Sequence, residues 1–563
     1  MKKLINNPST VVREMLEGTV ALGSHAALLA DENVVVQSDL AEANGRKVAI
    51  LSGGGSGHEP AHAGYVGRGM LTAAVAGDVF TSPSTDAVLS AIRAASGSAG
   101  ALLIVKNYTG DRLNFGLAAE IARAEGIPVE IVVVADDVAL RNSVPKERRR
   151  GIAGTVLVHK VAGAAAEKGL ALAEVARLAR HAADNIASMG ISLGACTLPA
   201  VGKPGFELGE EEIEVGLGIH GEQGIRRMPI VSADDLCSLV LETMDADRPF
   251  IRGDRVALLV NGLGSTPPME LSIVARAALS ALEARGVGVE RAWAGTFLSA
   301  LDMPGFSLSV THLDDTLLDL LDAPTNAAAW PGKGRVNLGR VVSQPLKPVT
   351  AGGAHAASQT TEGLQVRELA ARAAKAAIAA EDELTKLDSI AGDGDLGSSM
   401  KRGGEAILAL SAADFADPST GLASIGNALR RSIAGSSGPF YATGLLRASR
   451  RIADLPSPSA KDWSDAFSLA VEAISELGGA QPGDRTMVDA LRPAADALKA
   501  GLDSGKPLEE AWRTAVEAAI VGADATKTMR PRLGRASYLG ERAVGYPDGG
   551  AVAAATWLKA LMP

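Results

Sequence analysis

The sequence predicts two halves of different class, an α/β half of parallel-sheet layers followed by an all-α half. Three observations carry this. Short β-branched and aliphatic runs recur at 48–51, 101–105, 129–134 and 256–260, each followed within two residues by Gly, Asn or Asp. Around 330–361 sustained periodicity fails, and Pro331, Gly332, Gly334, Pro345, Pro348, Gly352 and Gly353 accumulate. From about 363 onward, Ala/Leu segments at helical spacing dominate and strand-like runs nearly vanish.

The apolar runs are too short for buried helices and suit buried parallel strands, with ligand loops at their C-terminal ends. Helical stretches such as 113–125 lie between some of them. This gives an α/β region over 1–333, in two subdomains, and a linker over 334–360. The segments 364–384, 421–434, 463–477, 487–502, 508–522 and 550–561 then predict a helical domain over 361–563, with roughly six to eight helices of roughly 10–20 residues each.

Composition narrows the function. A net charge of −10 argues against a general nucleic-acid binder, which needs a basic face. It leaves room for an anionic nucleotide whose charge a cation offsets. Cys196 and Cys237 are the only cysteines, so neither a disulfide framework nor a thiolate metal site is expected, and a reducing cytoplasm is the natural setting. The basic start Met-Lys-Lys is not followed by an apolar signal segment, and no apolar run approaches the ~18 residues of a membrane span.

The helical half carries Asp388-Ser389-Ile390-Ala391-Gly392-Asp393-Gly394-Asp395-Leu396-Gly397-Ser398-Ser399. Crowded carboxylates repel one another, so Asp388, Asp393 and Asp395, interleaved with glycines, point to a divalent cation such as Mg2+. The competing reading is a solvated acidic turn. An EF-hand is not formed, because its spacing and closing Glu are absent. Gly435-Ser436-Ser437-Gly438, Gly483-Asp484-Arg485-Thr486-Met487, Gly534-Arg535-Ala536-Ser537-Tyr538 and Pro547-Asp548-Gly549-Gly550 lie near expected helix starts, where backbone amides bind phosphate oxygens. Each alone is an ordinary cap or turn; their combination carries the phosphate reading.

In the α/β half, Gly53-Gly54-Gly55-Ser56-Gly57-His58-Glu59-Pro60 follows the 48–51 run. It is neither a Walker loop nor a dinucleotide fingerprint, but it brings backbone donors and His58 to one strand end. A second strand end carries Lys106-Asn107-Tyr108-Thr109-Gly110-Asp111. Gly216-Leu217-Gly218-Ile219-His220-Gly221 formally matches G-x-G-x-x-G, yet Gly224 and Pro229 break the helix that should follow, leaving His220 as the residue of interest. On the residues alone, a structural histidine is the competing reading.

Together with Gly77-Asp78-Val79-Phe80-Thr81-Ser82-Pro83 and Glu222, these motifs resemble, in family order, the fused dihydroxyacetone (glycerone) kinase family across nearly the whole chain. The resemblance implies a sugar-binding α/β half, an all-α helical-barrel half for the nucleotide, and a homodimer. It implies that His220 bonds covalently to the ketose carbonyl as a hemiaminal, that Asp111 accepts the proton of the reacting hydroxyl, and that His58 assists. Gly55, Ser56, Gly57 and Lys106 would line the sugar site. Asp388, Asp393 and Asp395 would hold Mg2+ on the ATP phosphates. Leu396, Gly397, Ser398, Ser399, Ser436, Ser437, Met487, Arg535, Asp548, Gly549 and Gly550 would surround the nucleotide.

Two departures stand out. Leu396 replaces the His that phosphotransferase-dependent relatives carry after Gly-Asp-Gly-Asp, which favours exchangeable ATP. Pro547-Asp548-Gly549 replaces the more common Asp-Pro-Gly. The expected activity is phosphorylation of dihydroxyacetone. A four-carbon ketose (erythrulose), FAD cyclisation by an FAD-AMP lyase activity, and a non-catalytic ketose sensor are the alternatives; the retained carboxylates and His220 favour an enzyme.

Overall fold

The computed structural model describes residues 2–339, 360–433, 435–455 and 457–562. Of the linker expected over 334–360, residues 340–359 therefore lie outside the described residues. The chain divides into two compact units, Met1–Ser343 and Gln344–Pro563.

The first unit contains two six-stranded sheets. The first is built from β1 (Ala26–Leu28), β2 (Val34–Gln37), β3 (Ala49–Ser56), β4 (Ala73–Val79), β5 (Ala101–Lys106) and β6 (Val129–Val134), in the order β1-β2-β4-β3-β5-β6. β3 pairs in parallel with β4 and β5, and β5 with β6. Every residue of β3 and β5 is buried. Helices Thr85–Ala95 and Thr109–Ala124 cover one face through Val88, Ile92 and Phe115. Helices Thr155–Glu167 and Leu172–Asp184 cover the other through Val156, Val161 and Val175. Strands covered on both sides need no polar alternation, which is why their sequences read as continuous apolar runs.

The second sheet is built from β7 (Ile186–Ser192), β8 (Glu212–Val215), β9 (Arg226–Pro229), β10 (Arg255–Gly262), β11 (Gly288–Gly295) and β12 (Gly305–His312), in the order β11-β10-β12-β7-β8-β9. The parallel layering expected from the apolar runs holds for β3, β5 and β6, whereas β10 is parallel to β11 but antiparallel to β12. In this sheet only β10 and β11 are parallel, and the remaining pairings are antiparallel. The edge strand β9 is largely exposed, so it lacks the apolar run that would announce it.

The second unit is helical: Thr361–Ala379, Glu381–Ala391, Leu396–Leu408, Pro418–Ser432, Ser437–Ile452, Ala460–Gly478, Val488–Asp503, Leu508–Ala525 and Gly549–Ala560. These nine, among the described residues, exceed the six to eight expected. The segment read as one helix over 364–384 is two, divided at Ala380. Helix Leu396–Leu408 is disguised by its glycines, which serve packing. A Cβ on Gly403 would lie 2.6 Å from the Ile433 side chain, and one on Gly404 2.8 Å from the Ala374 carbonyl. Val366, Leu384, Val488, Leu491 and Leu558 share one apolar core.

Candidate active site

In the first unit the site grows from the end of β3. Gly55 is required by close approach, since a Cβ there would lie 2.6 Å from the Thr81 amide nitrogen. Gly57 takes φ +97°, open to glycine at little cost, and turns the chain so that His58 points inward. The Ser56 hydroxyl donates to the Gly77 carbonyl at 2.7 Å, tying the strand end to β4.

His58 is fully buried and stacks on Phe80, with ring centroids 5.1 Å apart. Its Nδ1 lies 2.8 Å from the Ser299 carbonyl oxygen, and its Nε2 lies 3.1 Å from Nε2 of His220. His220 in turn places Nδ1 2.8 Å from Oε1 of Glu222, while its backbone N–H donates to Oε2 at 3.0 Å. Phe80 and Tyr108 meet the His220 ring edge-on at 5.2 and 4.6 Å.

Proton placement follows from the partners. A carbonyl and a carboxylate only accept, so Nδ1 of each ring carries a proton. The two Nε2 atoms face each other, and a hydrogen bond between them forms only when one ring carries a second proton. Burial, reinforced by the Lys106 and His220 charges, holds the His58 pKa well below the ordinary histidine range. Burial works against ionisation of Glu222, yet the hydrogen bond and charge of His220, with backbone N–H donors, bring its pKa down to about 2. Sequence reasoning counted Glu222 only as part of the motif and gave it no role. Its signal was the spacing His-x-Glu, which lets the carboxylate reach both the ring and the backbone of His220.

The loop is braced from behind. Arg150 forms a buried ion pair with Asp137 at 2.7 Å and donates to the Gly216 carbonyl at 2.7 Å. Lys106, at the end of β5, is fully buried and its Nζ has no hydrogen-bond partner among the described residues. Burial lowers its pKa, while the carboxylates of Asp111, Glu222, Glu59 and Asp136 act to raise it. Asp111 is buried in the first turn of helix Thr109–Ala124.

In the second unit, Asp388 ends one helix and caps another. Its Oδ2 accepts from the Asp395 and Leu396 amides at 2.9 and 3.2 Å. Carboxylate oxygens of Asp388, Asp393 and Asp395 all lie within 4.8 Å of one another, with Asp393 and Asp395 exposed. Three such hard-oxygen donors beside open solvent fit magnesium, which keeps water and phosphate in its remaining positions.

Leu396 and Met487 meet the last helix. A Cβ on Gly549 would lie 2.8 Å from Leu396 Cδ2, and one on Gly550 3.7 Å from Met487 Cβ. Asp548 caps that helix, accepting from the Ala551 amide at 2.9 Å, and burial pushes its pKa up to about 6. Gly397 faces inward, where a Cβ would lie 2.1 Å from the Glu381 carbonyl. The Ser398 hydroxyl donates to the Asp395 carbonyl at 3.0 Å, and the Ser399 hydroxyl accepts from Arg402 at 2.9 Å. Ser436 and Ser437 open helix Ser437–Ile452. The backbone of Arg535 starts a short turn, Arg535–Tyr538, and its side chain lies outside the described residues. Arg485, also passed over, is buried at φ +62° and donates to the Ala543 and Tyr546 carbonyls at 2.9 and 3.0 Å, which fixes the approach to Asp548.

Comparison with known proteins agrees with this two-unit arrangement. A Dak1 domain matches residues 17–329 and a DAK2 domain matches residues 390–563. Triokinase/FMN cyclase of Homo sapiens is 44% identical, over 100% of this chain and 99% of its own. D-erythrulose kinase of Mycolicibacterium smegmatis is 36% identical, over 99% of this chain and 97% of its own. The crystal structure of the C. freundii dihydroxyacetone kinase in complex with AMP-PNP and Mg2+ superposes with a TM-score of 0.64 at 34% identity, covering 100% of this chain and 99% of that one.

Proposed function

The chain belongs to the fused Dak1–DAK2 dihydroxyacetone kinase family, and from that premise we propose that it transfers the γ-phosphate of ATP to a short ketose, dihydroxyacetone first, held as a hemiaminal on His220. The observation that carries this reading is the polarised chain Ser299–His58–His220–Glu222.

With Nδ1 protonated against Glu222, Nε2 of His220 presents its lone pair. Attack on the ketose carbonyl carbon forms a C–N bond and breaks the carbonyl π bond, and a proton taken up from solvent passes through His58 to the carbonyl oxygen. The positive charge then rests on the substituted His220 ring, where the Glu222 carboxylate stabilises it. Reversal of these steps releases the product. Glycerol has no carbonyl and is excluded by this chemistry. Gly55, Ser56, Gly57 and Lys106 line the sugar site, and Asp111 takes the proton of the reacting hydroxyl.

In the helical unit Asp388, Asp393 and Asp395 hold Mg2+, which when bound neutralises phosphate charge. Leu396, Gly397, Ser398, Ser399, Ser436, Ser437, Met487, Arg535, Asp548, Gly549 and Gly550 surround ATP. The division into 1–333, linker 334–360 and 361–563 gives each ligand its own domain. We further read the protein as a cytoplasmic homodimer; two buried free thiols support the reducing compartment, and light scattering checks the dimer.

ADP release coupled to a reporter, with magnesium present, over dihydroxyacetone, both erythrulose enantiomers, glyceraldehyde and glycerol tests the reading. Turnover is expected with ketoses and not with glycerol. No ketose-dependent ADP release would sink it. Unchanged ketose affinity and turnover in His220→Ala would remove the covalent step alone. FAD belongs in the same assay, because the human relative is named for cyclase activity as well.

A further inference from the structure

Away from both sites, the first unit has a cavity of about 300 Å³ between the 3-10 turn Val138–Leu140, the β8–β9 edge and helix Ala233–Asp247. Its polar lining is Arg141, Asn142, Ser143, Arg226 and Thr243, and no acidic residue lines it. In a chain of net charge −10, that is a local reversal of sign. Among the described residues neither guanidinium has an ion-pair or hydrogen-bond partner, although most arginines of this unit do. Two unpaired guanidinium forks with the Asn142 amide and the Ser143 hydroxyl match a doubly charged phosphate, while the Thr243 hydroxyl donates to the Leu239 carbonyl at 2.9 Å. The volume, against about 30 Å³ for each water, leaves room for a short carbon chain beyond the phosphate.

The apolar floor of the cavity abuts the His220 loop. Val215 and Ile225 line the cavity and flank the loop, and the Ile225 amide donates to the Val215 carbonyl at 2.8 Å, closing its base. Gly216, at φ +73°, rests on Ala139 and Ile225, where an added Cβ would lie 2.7 and 3.3 Å away.

We propose that this cavity is an effector site for a small phosphomonoester, coupled through Gly216 to the loop that carries His220. The coupling rests on the reading of His220 as the ketose holder; the binding does not.

The test uses methyl phosphate, which has no carbonyl to engage His220, titrated calorimetrically into the full chain in EDTA so that no metal-bound nucleotide site competes. One equivalent is expected to bind the wild type. Arg141→Ala/Arg226→Ala is expected to weaken it at least tenfold, with thermal unfolding and basal turnover unchanged. Asn142→Asp, which adds an opposing charge at an exposed position, gives the same loss if the double variant folds poorly. With magnesium and ATP restored, methyl phosphate is expected to shift the KM for dihydroxyacetone at least twofold in the wild type and not in the variants. No binding by the wild type, or equal binding by wild type and variants, overturns the site. Binding lost in the variants without any KM shift overturns the coupling. Absence of all ketose turnover would count against the kinase reading and leave the calorimetric result standing.

Discussion

In the proposed function His220 reacts through a ring nitrogen, so its proton placement matters, and Glu222 sets one of its protons. A carboxylate on Nδ1 keeps that nitrogen protonated, so the lone pair is presented at Nε2, and it stabilises the ring as charge builds there. Glu222→Gln retains the size but loses the charge. It is expected to lower kcat for dihydroxyacetone roughly 10–100-fold, by analogy with the loss of other partners that orient a histidine, with a smaller change in KM. Equal losses from Glu222→Gln and Glu222→Ala in stability, without a kcat effect, would assign the residue a structural role. The pH dependence has a definite sign. The Glu222 pKa is lowered from 4.5 to about 2 in the folded chain, so its contribution to stability is complete above about 4.5 and is lost as pH falls toward 2. Acid unfolding of the wild type should steepen in that window relative to Glu222→Gln.

At the level of elements, glycines mark close approach as often as turns. Helix Leu396–Leu408 begins against helix Glu381–Ala391 at Gly397, where even a methyl would meet the Glu381 carbonyl. Gly397→Ala therefore forces these helices apart and is expected to destabilise the helical unit by about 1–3 kcal/mol, as overpacking does; denaturant titration measures this. Asp548 caps the last helix while partly buried, and its pKa is raised from 3.8 to about 6. The folded state then binds the extra proton, so this group's stabilisation is present below about 3.8 and disappears as pH rises through 6. Thermal melts of wild type between pH 4.5 and 7.5 should show this fall, and Asp548→Asn should flatten it. A wild-type profile without the fall would mean that Asp548 is ionised at little cost.

Across the whole molecule, the proposed function assigns ketose to the first unit and nucleotide to the second. Asp393→Asn is expected to abolish nucleotide turnover while leaving ketose uptake on His220, followed by mass spectrometry, and the circular dichroism of the helical unit intact. Unfolding of the helical unit would instead make the carboxylate loop a structural element. Much of this was legible in the sequence, because local pattern reports local environment. The buried runs of β3, β5, β6 and β10 betray strands, Ala/Leu periodicity betrays helices, and three aspartates within eight residues must resolve their repulsion. Glycine-masked helix Leu396–Leu408 and the antiparallel pairings of the second sheet were not legible, since packing partners and strand direction are set by distant chain. The same holds for chemistry. His58 and His220 are 162 residues apart and touch because the loops that follow β3 and β8 converge. The sequence by itself determined the classes of the two halves, the acidic loop and the reactive residue types. Only the tertiary structure decided which nitrogen of His220 is held by the Glu222 carboxylate and which faces His58, because that depends on Ser299, His58 and Glu222 being brought within hydrogen-bond distance.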